Sequence, residues 1–102
     1  MKPMIFHANA EAEYTTAVAE YADIRSELAA RFRAEVVAAL RKIRRSPEIH
    51  AFDFGTDCRR VLLRKFPYKV VYHDEGHRYL IVAVSHTSRD PGYWAERLNG
   101  SS

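Results

Sequence analysis

The residues best suited to chemistry lie together near the end of the chain, in Ser85 to Trp94, which reads SHTSRDPGYW. His86 could act as an acid or a base near neutral pH, because free imidazole has a pKa of ~6.5. Arg89 could bind a carboxylate or a phosphate, since a guanidinium presents paired donors. Tyr93 and Trp94 add apolar bulk that could instead close the end of a sheet. The stretch therefore indicates either proton transfer beside an anion or a structural plug.

A basic segment covers residues 41–69. It holds nine basic side chains and three acidic ones, whereas residues 1–40 hold four basic and six acidic side chains. A concentrated positive field of this kind attracts nucleic acid or an acidic protein partner. Part of this charge lies at the end of a predicted helix, where cations also stabilise the helix dipole. Charge alone therefore does not choose between a binding surface and a solvated one.

Two helices are predicted before this segment. Tyr14, Ala17, Val18 and Tyr21 lie at i, i+3, i+4 and i+7, which is one helical stripe, and Asn9 is the predicted N-cap. A second stripe consists of Leu28, Phe32, Val36, Leu40 and Ile43, and Ser46-Pro47 ends it. Asp23 to Ser26 carries capping residues and predicts a break between the helices, although a single bent helix is the alternative.

Four strands complete the predicted elements: Met4–His7, Cys58–Phe66, Tyr68–His73 and Arg78–Ser85. In the last strand Leu80, Val82 and Val84 alternate with Tyr79, Ile81 and Ala83, so both faces are apolar. That pattern is typical of a central strand covered on both sides. With a short helix over Tyr93–Leu98, the order predicts an α+β fold in which a helical hairpin packs on a mainly antiparallel four-stranded sheet.

Length and composition set the class of protein. A chain of 102 residues with 47% hydrophobic residues predicts one globular domain over residues 1–102. Cys58 is the single cysteine, and neither an export signal nor a membrane span is recognisable, so we expect a cytoplasmic protein. His73 and His77 flank a predicted loop without a third ligand, so we expect neither a metal site nor a cofactor.

The chain resembles a known superfamily in its element order and in two motifs. These are Arg60…Arg64-Lys-Phe-Pro-Tyr-Lys-Val-Val-Tyr72 and His86…Arg89-Asp-Pro-Gly-Tyr-Trp94…Arg97. Together they resemble the RelE/ParE toxins of bacterial type II toxin–antitoxin modules, and most closely the ParE-like, plasmid-stabilisation branch. The resemblance implies a growth-inhibiting toxin that a cognate antitoxin holds inactive by lying across its surface.

Two activities occur on this fold, so the fold alone does not choose between them. RelE-like members cleave messenger RNA on the ribosome, and that resemblance implies catalytic roles for five residues: His86, Arg89, Tyr93, Lys69 and Arg60. However, Leu62 and Thr87 stand where such nucleases carry cations, and the loss of one transition-state contact can cost ~2.7–4 kcal/mol. ParE-like members inhibit DNA gyrase by binding it. We therefore favour a protein that is not an enzyme, with a ribosome-dependent endoribonuclease as the alternative.

The first hypothesis is a ParE-like toxin that binds DNA gyrase or a related replication target. The alternatives are a ribosome-dependent messenger RNA endonuclease and an inactive member that only binds an antitoxin. The expected contacts to target or antitoxin are Arg60, Arg64, Arg89, Trp94 and Arg97. Trp94 could equally anchor the C-terminal segment. An acidic and apolar antitoxin segment along the basic strands is expected in each case, while a homodimer and a toxin–antitoxin hetero-oligomer both stay open.

Overall fold

The computed structural model describes residues 2–53 and 55–99. Its elements are β1 (Met4–Phe6), α1 (Ala8–Ile24), α2 (Ser26–Arg45), β2 (Arg59–Leu62), β3 (Tyr68–Asp74), β4 (Tyr79–His86) and a 3₁₀ helix (Ala95–Leu98). This order confirms the predicted α+β arrangement, with the two helices preceding three of the four strands. Within the described residues, none of the helices is long and apolar enough to cross a membrane.

The helical hairpin breaks where the sequence predicts. Arg25 separates α1 from α2 with an extended backbone, at φ −159° and ψ 139°. The predicted cap of α1, however, is wrong: the Nδ1 atom of His7 accepts from the backbone N–H of Asn9 at 3.0 Å, so His7 is the N-cap. The reason is tertiary, because the His7 N–H already donates to the carbonyl of Ile81 and α1 starts directly from the strand.

The sheet has the order β1-β4-β3-β2. β1 runs parallel to β4, and the other two pairs are antiparallel. β1 pairs with β4 only from Tyr79 to Ile81, so among the described residues no strand lies beside the second half of that edge of β4. Side chains must therefore form hydrogen bonds with the backbone N–H and C=O groups there, because leaving such groups buried and unpaired costs free energy.

A bulge in β4 changes the side on which its residues lie. Val71 pairs with Ala83 while Tyr72 pairs with Ile81, so Val82 is the extra residue. Consequently Val82 and Ala83 both pack on the outer face of the sheet, and Val84 returns to the helix side. The predicted strict alternation is wrong at this point, because a bulge shifts the two-residue period.

Hydrophobic clusters cover both faces of the sheet. The helix-side core is built around Phe32, Tyr72 and Ile81, and a ring of aromatics closes its end at Tyr21, Phe32, Phe66 and Tyr68. The outer core contains Cys58, Val71, Leu80, Val82, Ala83 and Trp94. Seven of the eight residues of β4 are buried, which confirms the prediction of a central strand with cover on both sides.

Candidate functional site

The chain turns sharply where β4 ends. The N–H of Thr87 donates to the carbonyl of Pro67 at 2.8 Å, and the N–H of Arg89 donates back to the carbonyl of His86 at 3.0 Å. This turn directs the following segment against α1 and leaves a cleft of about 280 Å³. The cleft is lined by Ala12, Glu13, Thr16, Ala17, Glu20, Tyr68, Val84, His86, Arg89 and Tyr93. Three of the predicted site residues therefore meet at one place, which we call the α1 cleft.

His86 lies at the wall of the α1 cleft. Its Nδ1 atom accepts from the backbone N–H of Ser88 at 3.1 Å and lies 2.7 Å from the Ser88 hydroxyl oxygen. Its ring meets Tyr68 edge-on, with centroids 5.2 Å apart. Since Nδ1 accepts from a backbone donor, the neutral ring carries its proton on Nε2. These contacts are those of a residue that closes a turn.

Arg89 lies at the rim of the same cleft. Its guanidinium stacks on the ring of Tyr93, with Cζ 3.9 Å from the centroid, and its side chain is exposed. Within residues 2–53 and 55–99 it makes no ion pair. Its donors are therefore available to an anionic group outside the chain.

Glu13 forms the polar floor of the α1 cleft. Its carboxylate accepts from the Tyr93 hydroxyl at 2.6 Å, from both terminal nitrogens of Arg97 at 2.9 and 3.0 Å, and from the Val84 N–H at 3.0 Å. Arg97 also donates to the Val82 carbonyl at 2.9 Å. Glu13 and Arg97 thus form hydrogen bonds with the backbone of Val84 and Val82, on the half of the β4 edge that does not pair with β1.

This network moves the pKa values of its members. Burial alone raises the pKa of Glu13, but the hydrogen bonds from Arg97, Tyr93 and Val84 outweigh it, and the pKa is lowered overall. Burial, followed by the hydrogen bond to Glu13, raises the pKa of Tyr93. Tyr93 therefore keeps its proton at neutral pH and holds it against Glu13, which makes it a poor candidate for a general base.

A second group of predicted residues lies on the outer face of the sheet. Lys69 Nζ lies 2.6 Å from Oδ1 of Asp53, and Arg60 Nη1 lies 3.6 Å from the same oxygen. Arg60 also donates to the Phe52 carbonyl. Asp53 is 1% exposed and the Lys69 side chain 12%. One buried carboxylate therefore pairs with both cations, more closely with Lys69 than with Arg60.

A loop before β2 positions Asp53. Its N–H donates to the Cys58 carbonyl at 2.7 Å, and its carbonyl accepts from the N–H of Thr56 at 3.0 Å. Gly55 adopts φ +72°, a left-handed conformation that glycine accepts without strain. This tight turn directs Asp53 onto the sheet. Sequence reasoning missed the role of Asp53, because its partners lie 7 and 16 positions further along the chain.

Comparison with known proteins decides the family. A family model described as the ParE toxin of the type II toxin–antitoxin system parDE matches residues 5–91. The chain belongs to the ParE toxin family. A solved structure of the chromosomal ParDE toxin–antitoxin system from P. aeruginosa superimposes with a TM-score of 0.71, covering 84% of this chain and 96% of that one. At 15% identity this likeness shows the fold, and no curated protein matches the sequence.

The ParE fold separates the five residues of the nuclease hypothesis. His86 contacts Tyr68, which packs against the helix-side core. Lys69 is the next residue of the strand and so points to the opposite face. Arg60 pairs in register with Val71 of the outer core. The acid–base candidate and the two strand cations thus lie on opposite faces, although RNA cleavage needs them around one phosphate.

Leu62 stands where RelE-like nucleases carry a cation, and its position in the sheet bears on the nuclease hypothesis. Leu62 is the register partner of Lys69 and is 56% exposed on the outer face of the ParE sheet. An apolar side chain there offers no stabilisation to a phosphate. Since Lys69 and Arg60 also pair with Asp53, the described residues of the outer face hold no free cluster of cations.

Two of the expected contact residues serve the ParE fold itself. Trp94 is 1% exposed and packs in the outer core, so its predicted role as an anchor for a partner does not fit this structure. Its alternative role, anchoring the C-terminal segment, agrees with the structure. Arg97 is likewise occupied by Glu13 and the Val82 carbonyl, with its side chain 13% exposed. Arg64 and Arg89 remain exposed, and Arg60 is partly exposed.

The Cys58 thiol and the possible metal ligands of the ParE chain were the other candidates for chemistry. Burial, with smaller contributions from Asp57 and Asp53, raises the pKa of the Cys58 thiol to about 12, so it is protonated and unreactive at neutral pH. Among residues 2–53 and 55–99, no three histidine, cysteine, aspartate or glutamate side chains are grouped to hold a metal ion. The α1 cleft and its rim arginine thus form the candidate site.

Proposed function

We propose that the protein inhibits growth by binding DNA gyrase or a related replication target, and that a cognate antitoxin neutralises it in the cytoplasm. Membership of the ParE family supports this function. The observation that carries the choice against RNA cleavage is the ion pair of Lys69 with the buried Asp53, on the face opposite His86. A binding inhibitor needs no assembled acid–base centre, whereas a nuclease does.

A supercoiling assay with purified toxin, gyrase and relaxed plasmid tests the proposal. We expect supercoiling to stop at excess toxin. Arg89→Ala should weaken this inhibition by about tenfold or more, as loss of an interface arginine does. Arg25→Ala is the matched control, because Arg25 is exposed and its one ion pair among the described residues is with Glu27 at 3.8 Å. Undiminished supercoiling at excess toxin would reject gyrase as the target.

His86→Ala distinguishes the two activities of the superfamily. A nuclease that uses this imidazole would lose its activity, while a gyrase-binding toxin would keep most of its growth inhibition. Growth after induction and primer extension on translated messages measure the two outcomes. New 5′ ends that vanish in His86→Ala would establish the nuclease instead, and unaffected growth with the unmodified chain would indicate an inactive member that only binds an antitoxin.

The antitoxin contact rests on charge. Arg64 is exposed and its side chain makes no ion pair in the described part of the chain, whereas Arg60 is engaged by Asp53 and Phe52. Arg64→Glu should therefore weaken binding of an acidic antitoxin segment more than Arg60→Glu. Calorimetric titration of each variant with the antitoxin measures this, and equal affinities for both variants and the unmodified toxin would contradict an acidic docking segment.

A further inference from the structure

From Arg31 to its last residue, α2 carries an exposed stripe whose charged residues are all arginines; the exposed Glu27 lies one turn before it. Arg31, Ala34, Ala38, Arg41 and Arg45 are spaced at i, i+3, i+7, i+10 and i+14, and all five are exposed. This spacing places them on one side of a helix with ~3.6 residues per turn. From Arg31 to Arg45 the stripe is about 21 Å long at ~1.5 Å per residue. We call it the α2 stripe.

The guanidinium groups of the α2 stripe have no ion-pair partners in the described part of the chain. Of the thirteen other lysines and arginines, six pair with a carboxylate: Lys2 with Asp74, Arg25 with Glu27, Arg60 and Lys69 with Asp53, Arg78 with Glu75 and Arg97 with Glu13. Six of the ten that pair with no carboxylate in the described part of the chain belong to α2: Arg31, Arg33, Arg41, Lys42, Arg44 and Arg45. Unmatched positive charge is thus concentrated on one helix, where mutual repulsion costs stability unless another molecule neutralises it.

Glu35 is a carboxylate beside the α2 stripe on the β2 side, and it is hydrogen-bonded to the turn between β2 and β3. Glu35 accepts from the backbone N–H groups of Arg64 and Lys65, at 2.6 and 3.2 Å. It therefore holds the β2–β3 turn against α2 and does not pair with the stripe. That turn adds the exposed side chains of Arg64 and Lys65 to the same side of the molecule. The positive field accordingly extends beyond the helix.

No large apolar side chain belongs to the α2 stripe itself, although Val37 and Leu62 are exposed beside it. The neutral residues within it are Ala34 and Ala38. The cleft between α2 and β2 holds about 30 Å³, which is roughly the share of one water molecule in the liquid. Protein partners are usually held by large side chains that fill pockets. A surface that offers guanidinium groups without such a pocket fits a partner recognised by charge and hydrogen bonds, which is a row of phosphates.

We propose that the α2 stripe binds the phosphate backbone of nucleic acid independently of sequence. Duplex DNA presents about one charge per ~1.7 Å of its axis, so a row of arginines ~21 Å long faces several phosphates at once. Arg31, Arg41 and Arg45 make the contacts, with Lys42 beside them. The inference does not depend on the nature of the toxin's target.

Fluorescence anisotropy on the full chain tests the proposal, with a labelled DNA duplex of about two helical turns and no gyrase or antitoxin present. If about four phosphates are neutralised, log affinity should fall against log salt with a slope of about −4, or about 100-fold between about 50 and 200 mM salt. A single-stranded RNA of the same length shows whether the stripe prefers one nucleic acid. No salt-dependent binding of either would overturn the proposal.

Arg41→Glu/Arg45→Glu locates the contact. We expect the salt slope to fall by about two and the affinity at low salt to drop by about tenfold or more. Arg25→Glu/Arg33→Glu is the control, since it removes two arginines near or on the same helix, outside the stripe, and changes the net charge equally. Equal losses in both double variants would overturn the proposal by reducing it to net charge, as would stronger binding of a poly-glutamate peptide than of DNA. Arg41→Gln/Arg45→Gln replaces the reversal if that variant does not fold.

Discussion

The outer face of the sheet and the α2 stripe carry the same kinds of side chain but differ in what surrounds them. On the outer face, Lys69 is nearly buried and pairs with the buried carboxylate of Asp53. On the α2 stripe, Arg41 and Arg45 are exposed, and no carboxylate within residues 2–53 and 55–99 pairs with them. The comparison teaches that cation density along a chain does not show which cations stabilise the fold and which can bind another molecule.

The partly buried Glu13–Arg97 ion pair also stabilises the fold, and Glu13→Ala should have the largest effect, because its carboxylate bonds Arg97, Tyr93 and Val84 at once. The variant leaves the guanidinium of Arg97 and the N–H of Val84 without their carboxylate. Breaking such a pair costs about 4 kcal/mol of unfolding free energy. Urea denaturation measures it, with Glu20→Ala on the same helix as an exposed control. A cost for Glu13→Ala no larger than for Glu20→Ala would contradict the assigned role.

Asp53→Ala should follow, with a loss of about 3 kcal/mol, because Lys69 then has no counter-charge in a nearly buried position. Asp53→Ala/Lys69→Met removes both charges and should recover much of that loss. Denaturation of the two single variants and the double variant completes a double-mutant cycle. Additive effects would show that the two side chains do not interact and would remove the distinction between the two regions.

Acid sensitivity gives a smaller effect at Glu13. The pKa of its carboxyl is lowered in the folded state, so its stabilisation is fully present above the unfolded pKa of ~4.3 and is lost as the pH falls through the folded value. Glu13→Gln should therefore show a shallower loss of stability than the unmodified chain between about pH 5 and pH 3. Thermal unfolding across that range measures it, and parallel curves would mean that Glu13 does not contribute.

The α2 stripe should give the smallest effect. Arg41→Ala and Arg45→Ala are each expected to change the free energy of unfolding by no more than about 0.5 kcal/mol, because neither side chain has a partner to lose in the described part of the chain. The same urea denaturation measures them. A loss above about 1 kcal/mol for either variant would place that arginine with the structural cations instead.

Much of the fold was predictable from local pattern. The apolar run of β4 predicts a central strand, and the stripe through Phe32, Val36 and Ile43 predicts the packed face of α2. The candidate site was predictable only in part. His86, Arg89 and Tyr93 do meet in the α1 cleft, because they follow one strand end within eight residues. Asp53 and Glu13 were not recognised, since each acts on residues far from it in the chain.

The sequence by itself determined the element order, the buried central strand and the resemblance to the ParE family, because these depend on periodicity and on motifs that are local in the chain. It also favoured a break within Asp23 to Ser26, and the structure places that break at Arg25. Only the tertiary structure decided which face each charged residue occupies. Three features arise from contacts between segments that are distant in the chain. They are the bulge at Val82, the ion pair of Asp53 with Lys69, and the hydrogen bonds of Glu13 and Arg97 to the part of β4 that β1 does not pair with. Whether a charged side chain forms an ion pair within the protein depends on which residues pack beside it. The spacing of residues along the sequence does not show this.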